Sequence, residues 1–337
     1  LLLLSMFLIG FSGSFVSAAD GDVLVIEAEG TINPILARHI QRGIAEAESM
    51  GAELCVIRLD TPGGLDTAMR DSVQSIVNAN VPVAVYVGPA GARAASAGVF
   101  ITLSGHVAAM APSTAIGAAS PVAMGPDGEI EMSDTMKDKV LNDSSAYIRS
   151  LAAAKDRNLE WAELAVREAV SATEQEALEL NVIDLVAATL PDLLKQIDGR
   201  EVTLIDGSVV TLQTTGALSR EFVMGGTDRF LFAISDPNIA YLLMGLAMLG
   251  IFVEISNPGL IFPGMFGAIA LLLALLSLGT LPINMAGILL VLLAVGLFVA
   301  EVFTTSFGLF TAGGVTALTI GSIIMFKGGP LFQVSPW

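Results

Sequence analysis

The chain has 337 residues, of which 53% are hydrophobic, and nearly all of that apolar excess lies after Asn238. Its net charge of −17 is carried almost wholly between Asp20 and Arg229. An acidic region of this kind repels nucleic acid, and no basic stripe or aromatic array offsets it, so we exclude nucleic-acid binding. The single cysteine, Cys55, excludes an intrachain disulfide and a zinc site built from thiolates.

Residues 1–19 are expected to be a secretory signal that is truncated at its start. Leu1–Val16 is a short apolar run, and the string Val16-Ser17-Ala18-Ala19 offers the small residues of a cleavage site. An uncleaved membrane anchor is the alternative. Both interpretations send the following region across the membrane.

The region after the signal predicts an α/β fold with a mainly parallel sheet, because apolar strands alternate with helices and the second strand is apolar on both faces. Strands are predicted at Asp22–Ala28, Glu53–Leu59, Val81–Val87, His106–Ala111, Thr114–Val122 and Val182–Ala187. Helices are predicted at 34–50, 66–78, 134–154, 159–169, 173–181 (opened by a capping box of Thr173 and Glu176) and 191–197. A turn is predicted at Pro126-Asp127-Gly128, a hairpin at 201–212, and a connector at Arg220–Ser235.

Ser96 is the candidate nucleophile. It is a lone polar residue in the string Ala95-Ser96-Ala97-Gly98, where a strand and a small-residue loop give way to a helix. Upstream, Pro62-Gly63-Gly64 follows another apolar strand and exposes backbone N–H groups. A hydroxyl and glycine turns at strand ends suggest a nucleophile with an oxyanion hole. The alternative is that Ser96 only caps the helix.

A serine nucleophile needs a general base, and the residues alone leave several open. His39 lies on a charged helix, where a half-buried structural role is the simpler interpretation, and a helix separates His106 from Ser96. Lys137 and Lys139 begin the helix at Asp134, where Met136 and Val140 could desolvate an amine. A pair of solvated surface lysines is the alternative there, and Lys155, at its helix end, is a weaker candidate.

Three strings resemble the ClpP-class membrane serine peptidases: Leu59–Gly64 (LDTPGG), Gly91–Gly98 (GARAASAG) and Thr173–Leu185 (TEQEALELNVIDL). With the signal and the apolar C-terminal region, the chain is most similar to the long form of the NfeD family, from Asp20 to about Phe326. The resemblance implies a ClpP/crotonase-like spiral of β-β-α units, followed by an all-α transmembrane bundle.

The resemblance also implies a site: Ser96 as nucleophile, Lys139 as base, Gly64 and Ala97 as oxyanion-hole donors, and Pro62 and Gly63 as the supporting turn. The interval to the string Ala146–Ser150 (AYIRS) selects Lys139 over Lys137. No metal and no cofactor are expected. No histidine follows Ser96 at the distance at which ClpP carries its base, which agrees with a lysine in that role.

The C-terminal region predicts about four transmembrane spans, at Asn238–Val253, Leu260–Leu281, Met285–Ala300 and Phe307–Phe326. Glu254 and Glu301 directly follow the first and third runs, and a Gly-Leu pair comes within a few residues of each (Gly259-Leu260 and Gly308-Leu309), which indicates a weak repeat of two-helix units. Each glutamate is interpreted as an interfacial residue whose head reaches water, with an ion or proton role as the alternative.

The expected domains are the signal at 1–19, a protease domain at 20–228, a connector at 229–237, a membrane domain at 238–327 and a tail at 328–337, with a family β-barrel expected beyond it. The leading hypothesis is an inner-membrane, multi-pass serine endopeptidase with an extracytoplasmic catalytic domain, which cleaves apolar segments of stomatin-like (SPFH) proteins. The alternatives are a non-catalytic scaffold for a stomatin, prohibitin or flotillin-class protein, and an acyl-CoA enzyme. Membrane lipid and further copies of the chain are the other expected partners.

Overall fold

The computed structural model describes residues 21–125, 128–130, 132–235, 237–257, 262–277, 285–303 and 309–325. The contacts divide the chain into two units, Leu1–Met224 and Gly225–Trp337. The predicted signal and tail, and residues 126–127 of the predicted turn, lie outside the described residues.

The first unit alternates strands with helices and then continues in shorter elements. In chain order they are β1 Val23–Glu29, α1 Pro34–Ser49, β2 Leu54–Asp60, α2 Asp66–Val77, β3 Val83–Val87, β4 Arg93–Ala95, α3 Ala97–Ser104, β5 Val107–Met110, β6 Ala115–Gly117, β7 Ala123–Gly125, β8 Gly128–Ile130, α4 Asp134–Ala153, α5 Leu159–Arg167, β9 Ser171–Thr173, α6 Glu174–Glu179, β10 Leu185–Val186, α7 Leu190–Ile197, β11 Glu201–Thr203, β12 Val209–Thr211 and β13 Ser219–Phe222. The second unit contains α8 Gly226–Ile234, α9 Pro237–Ser256, α10 Phe262–Ser277, α11 Met285–Phe303 and α12 Leu309–Met325.

A six-stranded parallel sheet forms the centre of the first unit, in the order β10-β5-β3-β2-β1-β13. Its middle strands are buried almost throughout, and Cys55 on β2 is fully buried. Burial of both faces explains why these strands are near-continuous apolar runs, and the predicted parallel sheet is confirmed. A second sheet, β4-β6-β9, lies beside the entrance to α3.

Local signals placed the helix starts correctly. The Asn33 side chain accepts hydrogen bonds from the backbone N–H groups of Ile35 and Leu36 at the start of α1. The capping box of Thr173 and Glu176 is present at the start of α6. Such caps satisfy N–H groups that a helix itself leaves without partners.

Several predicted elements differ from the structure. The strand expected at Val182–Ala187 is limited to Leu185–Val186. The segment expected to be a connector contains β13, which pairs with β1 at the sheet edge, and the helix α8. The strand expected at Thr114–Val122 ends at Gly117, because Gly117 and Ala118 have φ values of 145° and 51°, outside the extended region. Pairing with β1 therefore made a strand at β13, where the sequence pattern was weak. Backbone geometry ended β6 at Gly117, although the sequence pattern predicted that the strand continues.

The second unit contains two helical pairs, α9 with α10 and α11 with α12. Within the described residues one helix, at Ile239–Ser256, is long and apolar enough to cross a membrane, and the shorter apolar helices are Phe262–Leu275 and Phe310–Gly321. The number of spans therefore stays a prediction.

The two glutamates occupy equivalent places in these pairs. Glu254 Oε2 accepts a hydrogen bond of 3.3 Å from the backbone N–H of Gly264, and Glu301 Oε2 accepts one of 3.0 Å from that of Thr311. Each glutamate stands third from the end of its helix, and each donor stands third in the next helix. The predicted two-helix repeat thus has a structural counterpart, in which a carboxylate binds the positive end of the following helix.

An ion-paired cluster joins the parallel sheet to the helices that follow it. Asp184 accepts 2.7 Å hydrogen bonds from Arg157, Arg200 and the backbone N–H of Ala108, and Arg157 also donates to the carbonyl of Leu103. The Arg157 side chain is 1% exposed. Burial by itself would raise the pKa of Asp184, but the charge of Arg157 and these hydrogen bonds hold that pKa below its ordinary value.

Asp184→Asn is expected to lower the free energy of unfolding at pH 7 by about 3 kcal/mol, because it leaves a buried guanidinium without its counter-charge. Since the folded-state pKa of Asp184 is lowered, this stabilisation exists at neutral pH and is lost as the pH falls below roughly 4. Urea unfolding followed by tryptophan fluorescence measures both effects. The exposed Asp71→Asn is the control, and an equal loss in the two variants would contradict the prediction.

Candidate active site

A turn at the end of β2 is held from both sides by backbone hydrogen bonds. On one side, Thr61 N donates to Arg93 O at 2.7 Å and Ala95 N donates to Thr61 O at 3.0 Å, which ties the turn to β4. On the other side, Ile32 N donates to Gly63 O at 2.9 Å. The Pro62-Gly63-Gly64 turn is therefore fixed relative to the strand that leads into Ser96.

Ser96 lies between β4 and α3 in a strained backbone conformation. Its φ is 54° and its ψ is −113°, a region that non-glycine residues rarely adopt, and its N–H donates to Gly117 O at 3.0 Å. Its side chain makes no capping hydrogen bond to α3. The interpretation of Ser96 as a simple helix cap is therefore wrong, and such strain is typical of functional positions.

The turn and the serine touch directly. A Cβ added at Gly63 would lie 2.6 Å from Ser96 Cβ and 3.1 Å from Ser96 Oγ, and Gly63 has a φ of 117°. A Cβ at Gly98 would lie 2.7 Å from Thr61 Cγ2. Both glycines are thus required because α3 and the turn approach each other closely.

The two predicted oxyanion-hole donors lie at this contact. Gly64 follows Gly63 in the turn, and Ala97 is the first residue of α3. Within the described residues, neither backbone N–H donates a hydrogen bond to a protein acceptor. Backbone donors without a protein acceptor near a hydroxyl are what an oxyanion hole requires.

The structure separates both histidines from Ser96. His106 lies at the start of β5, where its Nδ1 accepts a 3.1 Å hydrogen bond from Val83 N at the start of β3. Burial, and to a lesser extent the charge of Lys155, lowers the pKa of His106 to about 4. His39 is buried and stacks on Phe222 with the rings 5.1 Å apart, so its expected half-buried state is corrected to full burial.

The lysines lie at different places around α4. Lys139 lines a groove of about 490 Å³, and Lys137 does not. Asp66, which follows the glycine turn by two residues, lines the same groove. Both are exposed, as is Met136, so the first turns of α4 do not form the expected apolar wall by themselves. Within the described residues Lys139 makes no hydrogen bond to Ser96.

Lys155 has the features of a perturbed amine but lies in another place. Burial, with the charge of Arg157 as a second cause, lowers the pKa of Lys155. It lines a separate cavity of about 670 Å³ together with Asn78 and Ser104, which lie at the far ends of α2 and α3. Since Ser96 precedes the opposite end of α3, Lys155 is not placed to serve it.

One cluster of charged side chains, around Arg70, was not predicted from the sequence. Arg70 on α2 donates to Asp66 and to Asp143 of α4, and its guanidinium lies 4.6 Å from the ring centroid of Tyr147. The i,i+4 spacing of Asp66 and Arg70 was a detectable signal for one of these contacts. The contacts to α4 depend on tertiary packing. The part of the chain that the structure describes contains no group of three or more His, Cys, Asp or Glu side chains suited to a metal ion.

Comparison with protein families matches both units. The model of the NfeD1b N-terminal domain matches residues 22–203, and that of the NfeD integral membrane domain matches residues 238–337. The chain belongs to the NfeD family. This NfeD chain is 38% identical over 335 residues to the membrane-bound protease PH1510 of Pyrococcus horikoshii, covering 99% of the chain and 75% of that protein. It is 28% identical over 336 residues to the membrane protein NfeD1b of Bacillus subtilis, covering 96% of the chain and 70% of that protein.

Solved structures of the N-terminal part of a stomatin-specific membrane-bound protease share the fold of the first unit. A lysine-to-alanine variant bound to a substrate peptide has a TM-score of 0.60 at 37% identity, and covers 65% of the NfeD chain and 100% of the solved chain. A serine-to-alanine variant has a TM-score of 0.57 at 38% identity, and covers 62% and 100% respectively. The ClpP/crotonase-like fold is confirmed, and the NfeD chain is a membrane protein and a serine protease.

The two solved variants also bear on the choice of lysine. The interval between their substituted serine and lysine equals the interval from Ser96 to Lys137 and is shorter than that from Ser96 to Lys139. An insertion of two residues between the serine and the lysine of this chain, relative to the solved protein, would make Lys139 the equivalent of the substituted lysine. Lys137 and Lys139 must therefore be tested side by side.

Gly63→Ala is expected to slow labelling of Ser96 by a fluorophosphonate about 10²-fold, because the added Cβ would push the turn, with the expected oxyanion donor Gly64, away from the hydroxyl. Gly91→Ala is the matched control, because Gly91 also has a positive φ, of 90°, but has no atom within 4 Å of its would-be Cβ. Equal labelling rates in folded samples of the two variants would show that the close contact is not needed.

Proposed function

We propose that the NfeD chain is a membrane-anchored serine endopeptidase with a Ser–Lys dyad, in which Ser96 is the nucleophile and Lys139 the general base. The observation that carries the proposal is the position of Ser96. Its backbone is strained, its side chain makes no capping hydrogen bond, and it packs closely against the Gly63-Gly64 turn. In the reaction, Ser96 Oγ attacks the peptide carbonyl while neutral Lys139 takes its proton. The N–H groups of Gly64 and Ala97 bind the oxyanion.

The same lysine then completes the cycle. Protonated Lys139 gives its proton to the leaving amine, which departs and leaves an acyl ester on Ser96. Lys139 next activates a water molecule that attacks the ester and releases the second product. Each step needs an amine that alternates between its neutral and protonated forms.

Lys139 is favoured over Lys137 by its place in the groove and by the interval to the Ala146–Ser150 string. Its exposure in the free chain means that desolvation must come from outside α4. A peptide lying in the groove would cover Lys139 and exclude water, which favours the neutral amine. On this account the base becomes active when substrate is bound.

The groove suits an apolar peptide. Its lining includes Pro121, Val122, Ala123, Met132 and Val140, and Val122 is 57% exposed in the free chain. Burial of such side chains against an apolar segment is favourable at about 25 cal/mol per Å². With the relative described as stomatin-specific, this supports a stomatin-like membrane protein as the substrate and partner.

The membrane region is proposed to anchor the protease through about four spans, α9 to α12, with the catalytic unit outside the cytoplasm. The paired helices and the family match to residues 238–337 support this arrangement. Self-association and contact with membrane lipid remain part of the proposal.

Ser96→Ala and Lys139→Ala are each expected to reduce turnover of an apolar peptide at least 10³-fold, on the order of the loss seen when a catalytic pair is broken. Lys137→Ala should retain activity close to that of the unsubstituted chain. Peptide cleavage followed by mass spectrometry measures all three. The opposite result for the two lysines would reassign the base to Lys137.

Labelling distinguishes an enzyme from a scaffold. A fluorophosphonate should modify Ser96 in folded, unsubstituted protein and fail to modify Ser96→Ala. An unmodified Ser96 would favour the non-catalytic scaffold for a stomatin-like protein.

The proposed topology predicts that protease added to spheroplasts digests the catalytic unit of Ser96→Ala protein and leaves the α9–α12 region protected. The inactive variant prevents self-cleavage from confusing the pattern. Digestion of the catalytic unit only after the spheroplasts are lysed would place it on the cytoplasmic side.

A further inference from the structure

A carboxylate, that of Asp143, lies where it could form an ion pair with the proposed base, Lys139. Asp143 follows Lys139 by four residues on α4, so the two side chains share a helix face, and both line the groove. An ion pair between them would favour the protonated lysine and oppose its action as a base. Within the described residues Lys139 makes no ion pair, and Asp143 accepts a hydrogen bond from Arg70 instead.

Arg70 binds a second carboxylate of the groove in the same way. Its Nε donates to Asp66 Oδ2 at 2.9 Å, while its Nη2 donates to Asp143 Oδ2. Its guanidinium also lies over Tyr147, which stacks on Phe100 of α3 at 5.9 Å. One arginine thus binds both carboxylates of the groove, and Tyr147, on which it lies, connects it to α3.

The charged residues lining the groove are Asp66 and Arg70 from α2 and Lys139 and Asp143 from α4. The other described lining residues are uncharged: Pro121, Val122, Ala123, Met132, Val140 and Ser144. Lys137 and Asp138 adjoin Lys139 on α4 and lie outside the lining. Among the described residues, the groove therefore carries two carboxylates and two cations, and one cation binds both carboxylates.

We propose that Arg70 is a positioning residue that keeps Asp66 and Asp143 from pairing with Lys139, so that the lysine can lose its proton. This inference rests on the proposed Ser–Lys chemistry. Without Arg70, two uncompensated carboxylates would face the amine, and the protonated form would gain a partner.

Exposure decides where the effect should appear. The side chains of Arg70, Asp66 and Asp143 are 35%, 60% and 68% exposed, so each pair contributes little to folding. A bound peptide covers the groove, and the same charges then interact more strongly because less water screens them. Loss of Arg70 should therefore change catalysis and leave the stability of the chain nearly unaffected.

Arg70→Met in the full chain, purified in detergent, tests this on an apolar peptide. The acid limb of the pH profile of kcat should move to higher pH by about one unit, with the same plateau at high pH. Below the limb, the variant should be about tenfold slower. Arg149→Met is the matched control, because Arg149, on α4, is likewise a partly exposed arginine in an ion pair, but it binds Glu163 and does not line the groove. Its profile should not move.

The double variant Arg70→Met/Asp143→Asn separates charge from mechanical support. If Arg70 acts by occupying the carboxylate, removal of that carboxylate should return the acid limb most of the way to its original pH. In Arg70→Met, the acid limb could instead stay at its original pH while the plateau of kcat falls, with no recovery of that plateau in the double variant. This result would mean that Arg70 only holds α2 against α4, and it would overturn the inference.

The proposed function and this inference fail in different ways. Full activity in Lys139→Ala would remove the base itself and overturn both. An inactive Lys139→Ala together with an unshifted limb in Arg70→Met would leave the proposed function intact and overturn the role of Arg70 alone.

Discussion

The close contact between the Gly63-Gly64 turn and Ser96 is the constraint on which the rest of the site depends. A single methyl group at Gly63 would overlap the serine side chain. The hydrogen bonds from Thr61 to β4 and from Ile32 to the turn hold the two segments at this distance, and Gly117 holds the serine N–H. The positive φ of Ser96 persists because these contacts determine its backbone from several directions.

Two ion-paired clusters of the first unit lie in different environments. The Arg157–Asp184 cluster is largely buried and joins the sheet to the chain around α5 and α7. The Arg70 cluster is exposed and lies along the groove. Buried pairs matter for folding because breaking them leaves an unpaired charge, while exposed pairs add little until a ligand covers them. The first cluster thus supports the fold, and the second, on our proposal, influences the chemistry of Lys139.

In the second unit, Glu254 and Glu301 show how an acidic residue can be retained in an apolar region. Each carboxylate accepts a hydrogen bond from the first turn of the next helix, where backbone N–H groups lack partners. Gly264 is suited to this contact, because a Cβ there would lie 2.7 Å from Glu254 Cγ. This arrangement gives both glutamates a backbone partner within their helical pairs.

The sequence by itself determined the elements whose signals are local. Apolar runs gave the parallel strands, Asn33 and the Thr173–Glu176 box gave helix starts, and the strings around Gly63 and Ser96 gave the family resemblance. These signals are readable because period, capping and turn chemistry act between near neighbours. Only the tertiary structure decided that the Ser96 backbone is strained and that its side chain does not cap α3. The same holds for the position of His106 at the end of the sheet opposite Ser96, and for the edge strand at residues 219–222. It also placed Arg70 between Asp66 and Asp143. These features depend on segments distant in sequence, whose approach is set by packing of the whole unit.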